Sequence, residues 1–275
     1  MDLFQPDNFS VSTIRYKTTD VDLPFLKTIL KQYFKSFTIT QALRLDRHEN
    51  NSENYQILVD VDGVSRRILL RKFKLLQDSE QIHFYLHFLK TLRTFGVPVS
   101  DVLETQGGEL MLAYDDNHYT VFPFIESDYF VPTDGALRSL AQGVAMMHKA
   151  FNALPEHVMS SIAILSKRLN NYFNKVPTYS AEDFLRMRDI VSKKIEKNVD
   201  DEFVLQHIPR CLELVKEVEA RRAEIDALPR QLIHEDLHPH NVLFAGDSLR
   251  AIIDFDSVRV GEQARDVAFA LYRFG

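Results

Sequence analysis

The chain has 275 residues, of which 45% are hydrophobic, and 20 of them are phenylalanine. This is enough apolar material for a large core, and the length allows either two domains or one two-lobed enzyme. The formal net charge of -6 and the isoelectric point of about 5.9 argue against nucleic acid as a partner. The single cysteine excludes an internal disulfide. Because no leader-like start and no apolar run long enough for a bilayer occur, we expect a cytoplasmic protein without a membrane partner.

The first third of the chain changes from a helical to a strand-like period. Apolar residues recur at helical spacing over residues 22–36, which predicts an amphipathic helix. The next apolar runs favour strands, with a hairpin turn at Asp62-Gly63. These predicted strands are Phe37–Ile39, Gln56–Val59 and Arg67–Arg71.

The middle of the chain is predicted to alternate between helices and short strands. Asp78 opens a helix with Ile82, Tyr85, Leu86 and Leu89 facing inward, and Gly96 ends it. Strands are expected at Val99–Leu103 and Leu110–Ala113. A later helix is expected to bury one face, made of Leu137, Leu140, Ala141, Val144, His148 and Phe151. Residues 156–228 have a helical period, and there Cys211 is expected to be buried beside Leu214, Val215 and Val218.

Polar side chains suited to chemistry are concentrated between residues 231 and 257. They follow or precede short apolar runs that predict buried strands, and Gly246-Asp247 marks a hairpin between two of these. Asp236, Asn241 and Asp254 therefore stand on loops at strand ends, where their oxygens can converge. Oxygen ligands without a nearby thiolate suit Mg²⁺, which is usually shared with substrate phosphates. This pattern predicts phosphoryl transfer.

Two linked motifs in this stretch resemble those of a known superfamily. His234-x-Asp236 followed by Asn241, and then Ile253-Asp254-Phe255, resemble the catalytic loop and the metal-binding aspartate of the protein-kinase-like fold. The wider strings HEDLHPHNVLF and IIDFDSVRVGEQARDVAFAL are similar to the aminoglycoside phosphotransferase and choline kinase superfamily, also called the phosphotransferase enzyme family. The resemblance covers residues 37–275 and is strongest from 231 onward.

The resemblance implies an α+β, protein-kinase-like fold with two lobes. Residues 1–122 would form a nucleotide-binding N-lobe, made of a small antiparallel sheet with helices. Residues 123–275 would form a mainly helical C-lobe with the catalytic loop and the acceptor site. Family members normally continue with further helices past the position of Gly275. The resemblance therefore implies that the sequence is truncated at its C-terminal end.

The same resemblance implies ATP and Mg²⁺ as cofactors, and it implies a role for each polar residue of the loop. Asp236 would orient or deprotonate a hydroxyl of a small-molecule acceptor, such as an aminoglycoside, choline or a homoserine-like compound. His234 would brace the loop. Asn241 and Asp254 would hold Mg²⁺. Asp266 is expected to be a structural hydrogen-bonding group.

Nucleotide-binding residues are implied at three places before the catalytic loop. Arg71, in preference to Lys72, would contact the phosphates. Ser52-x-Asn54 matches the family's phosphate loop, although residues 46–54 contain no glycine. The backbone of Pro123 and Ile125 would pair with the adenine.

Some residues depart from the family pattern. Tyr85 stands where the family usually has a glutamate that pairs with the strand cation, and Glu235 and His240 stand where it commonly has glycine. His148 matches a family histidine, but a lone histidine on an apolar helix face is expected to be structural. These departures leave open a kinase-like nucleotide-binding protein without turnover.

Two further hypotheses come from the same residues. His234 and His238 spell H-E-x-x-H, the helical zinc site of metalloproteases, although Pro239 disfavours a helix there. A positively charged acceptor is suggested by acidic residues near the predicted loop and hinge, namely Glu235, Asp256, Glu262, Glu126 and Asp128. The sequence does not determine the oligomeric state or the identity of the acceptor.

Overall fold

The computed structural model describes residues 21–45, 52–73, 78–162 and 180–274. Its first part is built on a five-stranded antiparallel sheet with the strand order β1-β2-β3-β5-β4. The strands are β1 (Thr38–Leu45), β2 (Ser52–Val61), β3 (Val64–Phe73), β4 (Leu112–Tyr114) and β5 (Asn117–Pro123). The strands extend beyond the apolar runs because their polar ends also pair through the backbone, and the Arg44–Glu53 ion pair adds a side-chain contact between β1 and β2 there.

The hairpin between β2 and β3 turns at the predicted dipeptide. Asp62 and Gly63 have φ values of 53° and 80°, and Val61 pairs directly with Val64. A two-residue loop with two positive φ values matches the right-handed twist of the flanking strands. The Asp60 carboxylate accepts a hydrogen bond of 2.9 Å from the Gly63 N–H, which closes the turn.

Each face of this sheet is covered by one helix. Helix α1 (Leu23–Leu30) is capped by Asp22 and packs its buried leucines and isoleucine on the face that contains Leu70 and Val121. Helix α2 (Ser79–Thr94) is capped by Asp78 and packs on the opposite face, beside Phe73 and Phe122. Alternation along the strands assigns neighbouring residues to opposite faces.

The second part of the chain is mainly helical. Its helices are α3 (Asp134–Asn152), α4 (Ala181–Ser192), α5 (Val199–Ala220), α6 (Arg222–Asp226) and α7 (Gln263–Phe274). Two small antiparallel ladders lie between α6 and α7: β6 (Arg230–Ile233) pairs with β9 (Arg259–Glu262), and β7 (Val242–Ala245) pairs with β8 (Ser248–Ile252). No helix in the described ranges is both long and apolar enough to cross a membrane.

One local expectation from the sequence is wrong, and another is confirmed only in part. Val99–Leu103 does not form a strand, because its two ends pair with different partners: Val99 bridges Ile252, and Leu103 donates to the Val121 carbonyl. On α3, Leu140, Val144, His148 and Phe151 are buried as predicted, whereas Leu137 and Ala141 are exposed. The buried face also contains Ala136, Gly143 and Met147.

The expectation for the Cys211 face is also wrong. Cys211 is half-buried, whereas Leu214 and Val218 are exposed. Among the described elements, the main neighbour of α5 is α4, another amphipathic helix. An apolar period in a sequence therefore does not by itself place a helix face in the main core.

Paired substitutions on α3 test this assignment of its faces. Leu140 is 5% exposed and Leu137 is 39% exposed. We expect Leu140→Ala to lower the free energy of unfolding by about 2–5 kcal/mol, as truncation in a core does. We expect Leu137→Ala to cost less than about 1 kcal/mol. Chemical denaturation of both variants measures the difference, and equal losses would contradict the assignment.

Candidate active site

Two strand ladders bring the predicted catalytic residues to one place. His234 follows β6 directly, and Asn241 precedes β7 by one residue. Val242 pairs with Ile252 across the β7/β8 hairpin, and the Ile253 N–H donates to the Asn241 carbonyl at 2.9 Å. Asn241 and Asp254 therefore lie at the same end of the hairpin, as the sequence predicts.

The buried carboxylate of Asp266 holds the start of the loop. Its two oxygens accept the backbone N–H groups of His234 and Glu235, both at 2.7 Å. One of these oxygens also lies 3.0 Å from Nε2 of His148, which is buried on α3. Asp266 and His148 thus have structural contacts, and the carboxylate joins α3, α7 and the loop.

His234 is fully buried and uses both ring nitrogens. Nε2 donates to the Ile253 carbonyl at 3.0 Å, and Nδ1 accepts the Asp236 N–H at 3.3 Å. Burial lowers the pKa of His234, so the ring is neutral, in agreement with one donor and one acceptor nitrogen. The histidine links the loop to the residue before Asp254.

Asp236 presents its carboxylate beside an amide and a second histidine. Asn241 is buried, and its Nδ2 donates to both the carbonyl oxygen and Oδ2 of Asp236, each at 2.9 Å. Nε2 of His238 lies 3.4 Å from the same Oδ2. The interaction with His238 lowers the pKa of Asp236, and Asn241 contributes in the same direction. The side chain of Asp236 keeps 40% of its surface exposed, so a hydroxyl can reach it.

Asn241 and Asp254 offer the donor set that suits a hard cation. The Asn241 amide nitrogen is engaged with Asp236, which leaves the amide oxygen as the atom able to ligate a metal. Asp254 has φ 66° and ψ 58°, a left-handed conformation that turns the chain sharply after β8. One amide oxygen and one carboxylate fit Mg²⁺, which takes few protein ligands and fills its other positions with phosphates and water.

Arg71 reaches the same region from the sheet. It is paired in register with Asn54 on β2 and Thr120 on β5, so the three side chains lie on the α2 face. Its guanidinium donates a hydrogen bond of 2.9 Å from Nη2 to Oδ2 of Asp256 and lies over the Phe73 ring. Lys72 lies on the opposite face, over the ring of Tyr119.

The ion pair with Asp256 was not anticipated from the sequence. Burial raises the pKa of Asp256 above its ordinary value, and the Arg71 cation opposes that shift. A signal did exist, because Asp256 follows Asp254 by two residues and so belongs to the same short loop. Sequence alone could not tell which carboxylate faces the strand cation.

The other predicted nucleotide contacts are near this face or at the sheet edge. Asn54 donates from Nδ2 to the Ser52 hydroxyl at 3.1 Å, and Ser52 is in register with Phe73. The preceding part of the predicted phosphate loop, residues 46–51, lies outside the described residues. Pro123 ends β5, and Ile125 follows it as a half-buried residue.

The zinc-site hypothesis does not fit the loop. Residues 234–238 are not helical, and His238 has an extended backbone with φ -144°. Both nitrogens of His234 are already hydrogen-bonded, so neither is available as a ligand. Within the described ranges, no group of three or more His, Cys, Asp or Glu side chains is arranged to hold a metal ion.

Four of the five acidic residues that suggested a cationic acceptor form ion pairs with arginines, and the fifth, Asp128, accepts a backbone N–H. Glu235 binds Arg259 and Arg265 at 2.9 and 2.7 Å, and Asp256 binds Arg71. The remaining partners are Arg230 for Glu262, Arg67 for Glu126, and the Gly246 N–H for Asp128. An arginine partner reduces the negative potential of each paired carboxylate, so these four ion pairs weaken the argument for a positively charged acceptor.

Comparison with known proteins places this architecture in a class. The fold matches a solved spectinomycin phosphotransferase in complex with ADP and spectinomycin, with a TM-score of 0.64, 17% sequence identity, and coverage of 91% of this chain and 74% of that one. The chain thus has the protein-kinase-like fold, with an antiparallel sheet first and a mainly helical part after it. The sequence model of the phosphotransferase enzyme family matches residues 44–275, and the chain belongs to that family. This confirms the resemblance described from the motifs.

Curated relatives carry one name. Homoserine kinase from Zymomonas mobilis is 24% identical over 219 residues, which cover 79% of this chain and 60% of the relative. Homoserine kinase from Rhodopseudomonas palustris is 24% identical over 243 residues, which cover 88% and 67%. The chain therefore spans between about three-fifths and two-thirds of the length of these two relatives.

The role of Asp266 can be tested through stability. Asp266→Ala would leave two buried backbone N–H groups and His148 without their acceptor. We expect a loss of about 3–5 kcal/mol in the free energy of unfolding, measured by chemical denaturation. Asp189→Ala on α4 is the control, because its ion pair with Lys193 is exposed and worth less than about 1 kcal/mol. Similar losses in both variants would show that Asp266 does not hold the loop.

Proposed function

We propose that the protein transfers the terminal phosphate of ATP to a hydroxyl group of a small molecule, with Mg²⁺ as the metal. The observation that carries this proposal is the juxtaposition of an accessible carboxylate, Asp236, with the buried amide of Asn241 at the end of the hairpin that leads to Asp254. Phosphoryl transfer needs positioning and charge stabilisation more than covalent chemistry by the protein. A cytoplasmic location, where ATP is available, belongs to the same proposal.

Asp236 orients the acceptor. Its lowered pKa keeps the side chain ionised at neutral pH, so the carboxylate accepts a hydrogen bond from the acceptor hydroxyl and can take its proton. Asn241 and His238 fix the direction of the carboxylate. His234 acts indirectly, because it accepts the Asp236 N–H and so sets the backbone at that residue.

Asn241 and Asp254 are the proposed metal ligands. When bound, Mg²⁺ would neutralise charge on the nucleotide phosphates. The protein's part would be to keep the two oxygen donors at the same end of the hairpin, and the hydrogen bond from the Ile253 N–H to the Asn241 carbonyl supports this role. The left-handed turn at Asp254 directs the chain away from the strand immediately after the ligand.

The nucleotide is proposed to lie between the sheet and the loop. Arg71 would contact its phosphates, with Ser52 and Asn54 on the same face of β2 and β3. The backbone of Pro123 and Ile125 would pair with the adenine, at the end of β5. This arrangement keeps residues 1–122 and 123–275 as the proposed lobes, with the nucleotide at their junction.

A homoserine-like hydroxy amino acid is the first candidate acceptor. The support is the shared name of the curated relatives, whereas the spectinomycin phosphotransferase is similar in fold alone. Aminoglycosides and choline stay as alternatives. A second function, nucleotide binding without turnover, is favoured by Tyr85, which brings no negative charge to Arg71, and by the absence of glycine from the sequence of residues 46–54.

Exchanging each proposed catalytic aspartate for asparagine should have different effects. Asp236→Asn removes the group that accepts the hydroxyl proton, so turnover should fall by about a hundred- to ten-thousandfold while Mg-ATP affinity stays near the wild-type value. Asp254→Asn should weaken both, because its charge is needed for the metal. Calorimetry with Mg-ATP and an ATP-turnover assay measure these effects. Equal loss of affinity in both variants would show that the loop is misassigned.

A panel of hydroxyl compounds identifies the acceptor. We expect ATP-dependent phosphorylation of L-homoserine, detected by mass spectrometry, to exceed that of choline and of spectinomycin. O-methyl-homoserine, which lacks the reacting hydroxyl, is the matched control and should stay unmodified. If a sugar or an aminoglycoside were the best acceptor, the homoserine assignment would be wrong although the phosphotransferase would stand. If Mg-ATP bound but no compound were phosphorylated, binding without turnover would be favoured.

A further inference from the structure

The strand cation of this protein is paired with an unusual partner. Arg71 on β3 and Asp256 in the loop after β8 are separated by 185 residues, and Nη2 of the arginine lies 2.9 Å from Oδ2 of the aspartate. Both side chains are largely buried, with 14% and 19% of their surface exposed. Removing one partner of a buried ion pair is costly, because the other charge is left uncompensated.

The helix that faces Arg71 supplies no counter-charge. In protein kinases, the strand cation pairs with a glutamate from the neighbouring helix. Here the residue of α2 that approaches Arg71 is Tyr85. The tyrosine hydroxyl lies 3.5 Å from Nη1 of Arg71, and the ring centre lies 5.8 Å from the guanidinium carbon. The ring and the Phe73 ring shape a slot for the planar guanidinium, but neither carries a charge.

We propose that Asp256 is the positioning residue for Arg71 and takes the part that a helix glutamate plays elsewhere in this fold. Its carboxylate holds the guanidinium in the orientation that the nucleotide phosphates require, and it keeps the cation away from Asp254. The proposal rests on the function proposed above, since it concerns the same nucleotide site.

The geometry of the contact supports positioning over blocking. Asp256 accepts a hydrogen bond from one guanidinium nitrogen of Arg71, Nη2. Nε of Arg71 is buried and has no hydrogen-bond partner in the part of the chain that the structure describes. A guanidinium can bind two oxyanions through different nitrogens, so the contact with Asp256 leaves donors for a phosphate.

The proximity of Asp254 explains why this positioning matters. Asp254 is two residues before Asp256, and its charge also acts on Arg71. Without Asp256, the buried cation would lack its partner and would turn toward Asp254, the remaining carboxylate. Arg71 would then compete with the metal for Asp254 and would no longer face the phosphates.

The experiment measures ADP affinity by calorimetry, with Mg²⁺ and again in EDTA, for wild type and Asp256→Asn. We expect the substitution to weaken ADP binding by about ten- to a hundredfold in both conditions, the range for a lost charged hydrogen bond. A direct metal ligand at this position would matter only with Mg²⁺, and a blocking group would give tighter binding on removal. Glu262→Gln, which removes an acid paired with exposed Arg230, is the control and should bind as wild type.

A second arm restores the charge from the helix. Tyr85→Glu in the Asp256→Asn background should recover most of the lost affinity, whereas the neutral Tyr85→Gln in the same background should not. Thermal unfolding of every variant separates this effect from a merely structural one, which would lower Tm and leave the affinity of the folded protein unchanged.

The outcomes separate the two proposals. Wild-type protein that fails to bind Mg-ATP overturns the proposed function and this inference together. If the wild type binds nucleotide, three results for Asp256→Asn would overturn only the role of Asp256. These are an unchanged ADP affinity, a loss of affinity seen only with Mg²⁺, and a higher ADP affinity than the wild type has. The comparison in EDTA decides the matter whether or not position 85 accepts a glutamate.

Discussion

The hydrogen bonds that the Asp266 carboxylate accepts are the constraint on which the site depends. Two consecutive backbone N–H groups and one histidine nitrogen converge on this one buried side chain. Backbone N–H groups and a buried carboxylate each need partners away from water, so each satisfies the other. The result is a loop whose first two residues cannot shift without breaking contacts to α3 and α7.

From that fixed start, hydrogen bonds along the loop set the backbone up to Asp236 and Asp254, the proposed site residues. Glu235 has a left-handed φ of 71°, which is unfavourable for a side chain, and its N–H contact with Asp266 and its side-chain contacts with Arg259 and Arg265 hold it there. His234 then ties Asp236 to the carbonyl that precedes Asp254. Backbone contacts thus set the loop around Asp236 and Asp254, and the Asn241 amide adds direct hydrogen bonds to Asp236.

The sheet supplies the remaining charge from outside the loop. Arg71 is directed toward the loop because alternation along β3 places it on the α2 face, whereas Lys72 faces α1. Its partner Asp256 belongs to the loop that also carries Asp254. The ion pair therefore links the sheet to the loop.

The sequence predicts the fold and the local site better than the long-range pairing. The motif around His234 and Asp254 carries the family pattern, and the turn at Asp62-Gly63 follows from residue chemistry alone. The strand at Val99–Leu103 failed because its pairing is divided between two sheets, and periodicity cannot show this. Likewise, charges along the chain do not reveal their partners, so the acidic residues near the loop suggested a cationic site although arginines neutralise four of them.

The central claim is that Asn241 and Asp254 hold the metal of a nucleotide whose phosphates reach Arg71. A crystal structure of the protein with a non-hydrolysable ATP analogue and Mn²⁺, which gives an anomalous signal, tests this most directly. The account predicts an anomalous peak bound by the Asn241 amide oxygen and the Asp254 carboxylate, with phosphate oxygens completing its shell and Arg71 in contact with the phosphates. A peak on His234 and His238, or phosphates bound away from the hairpin end, would contradict it.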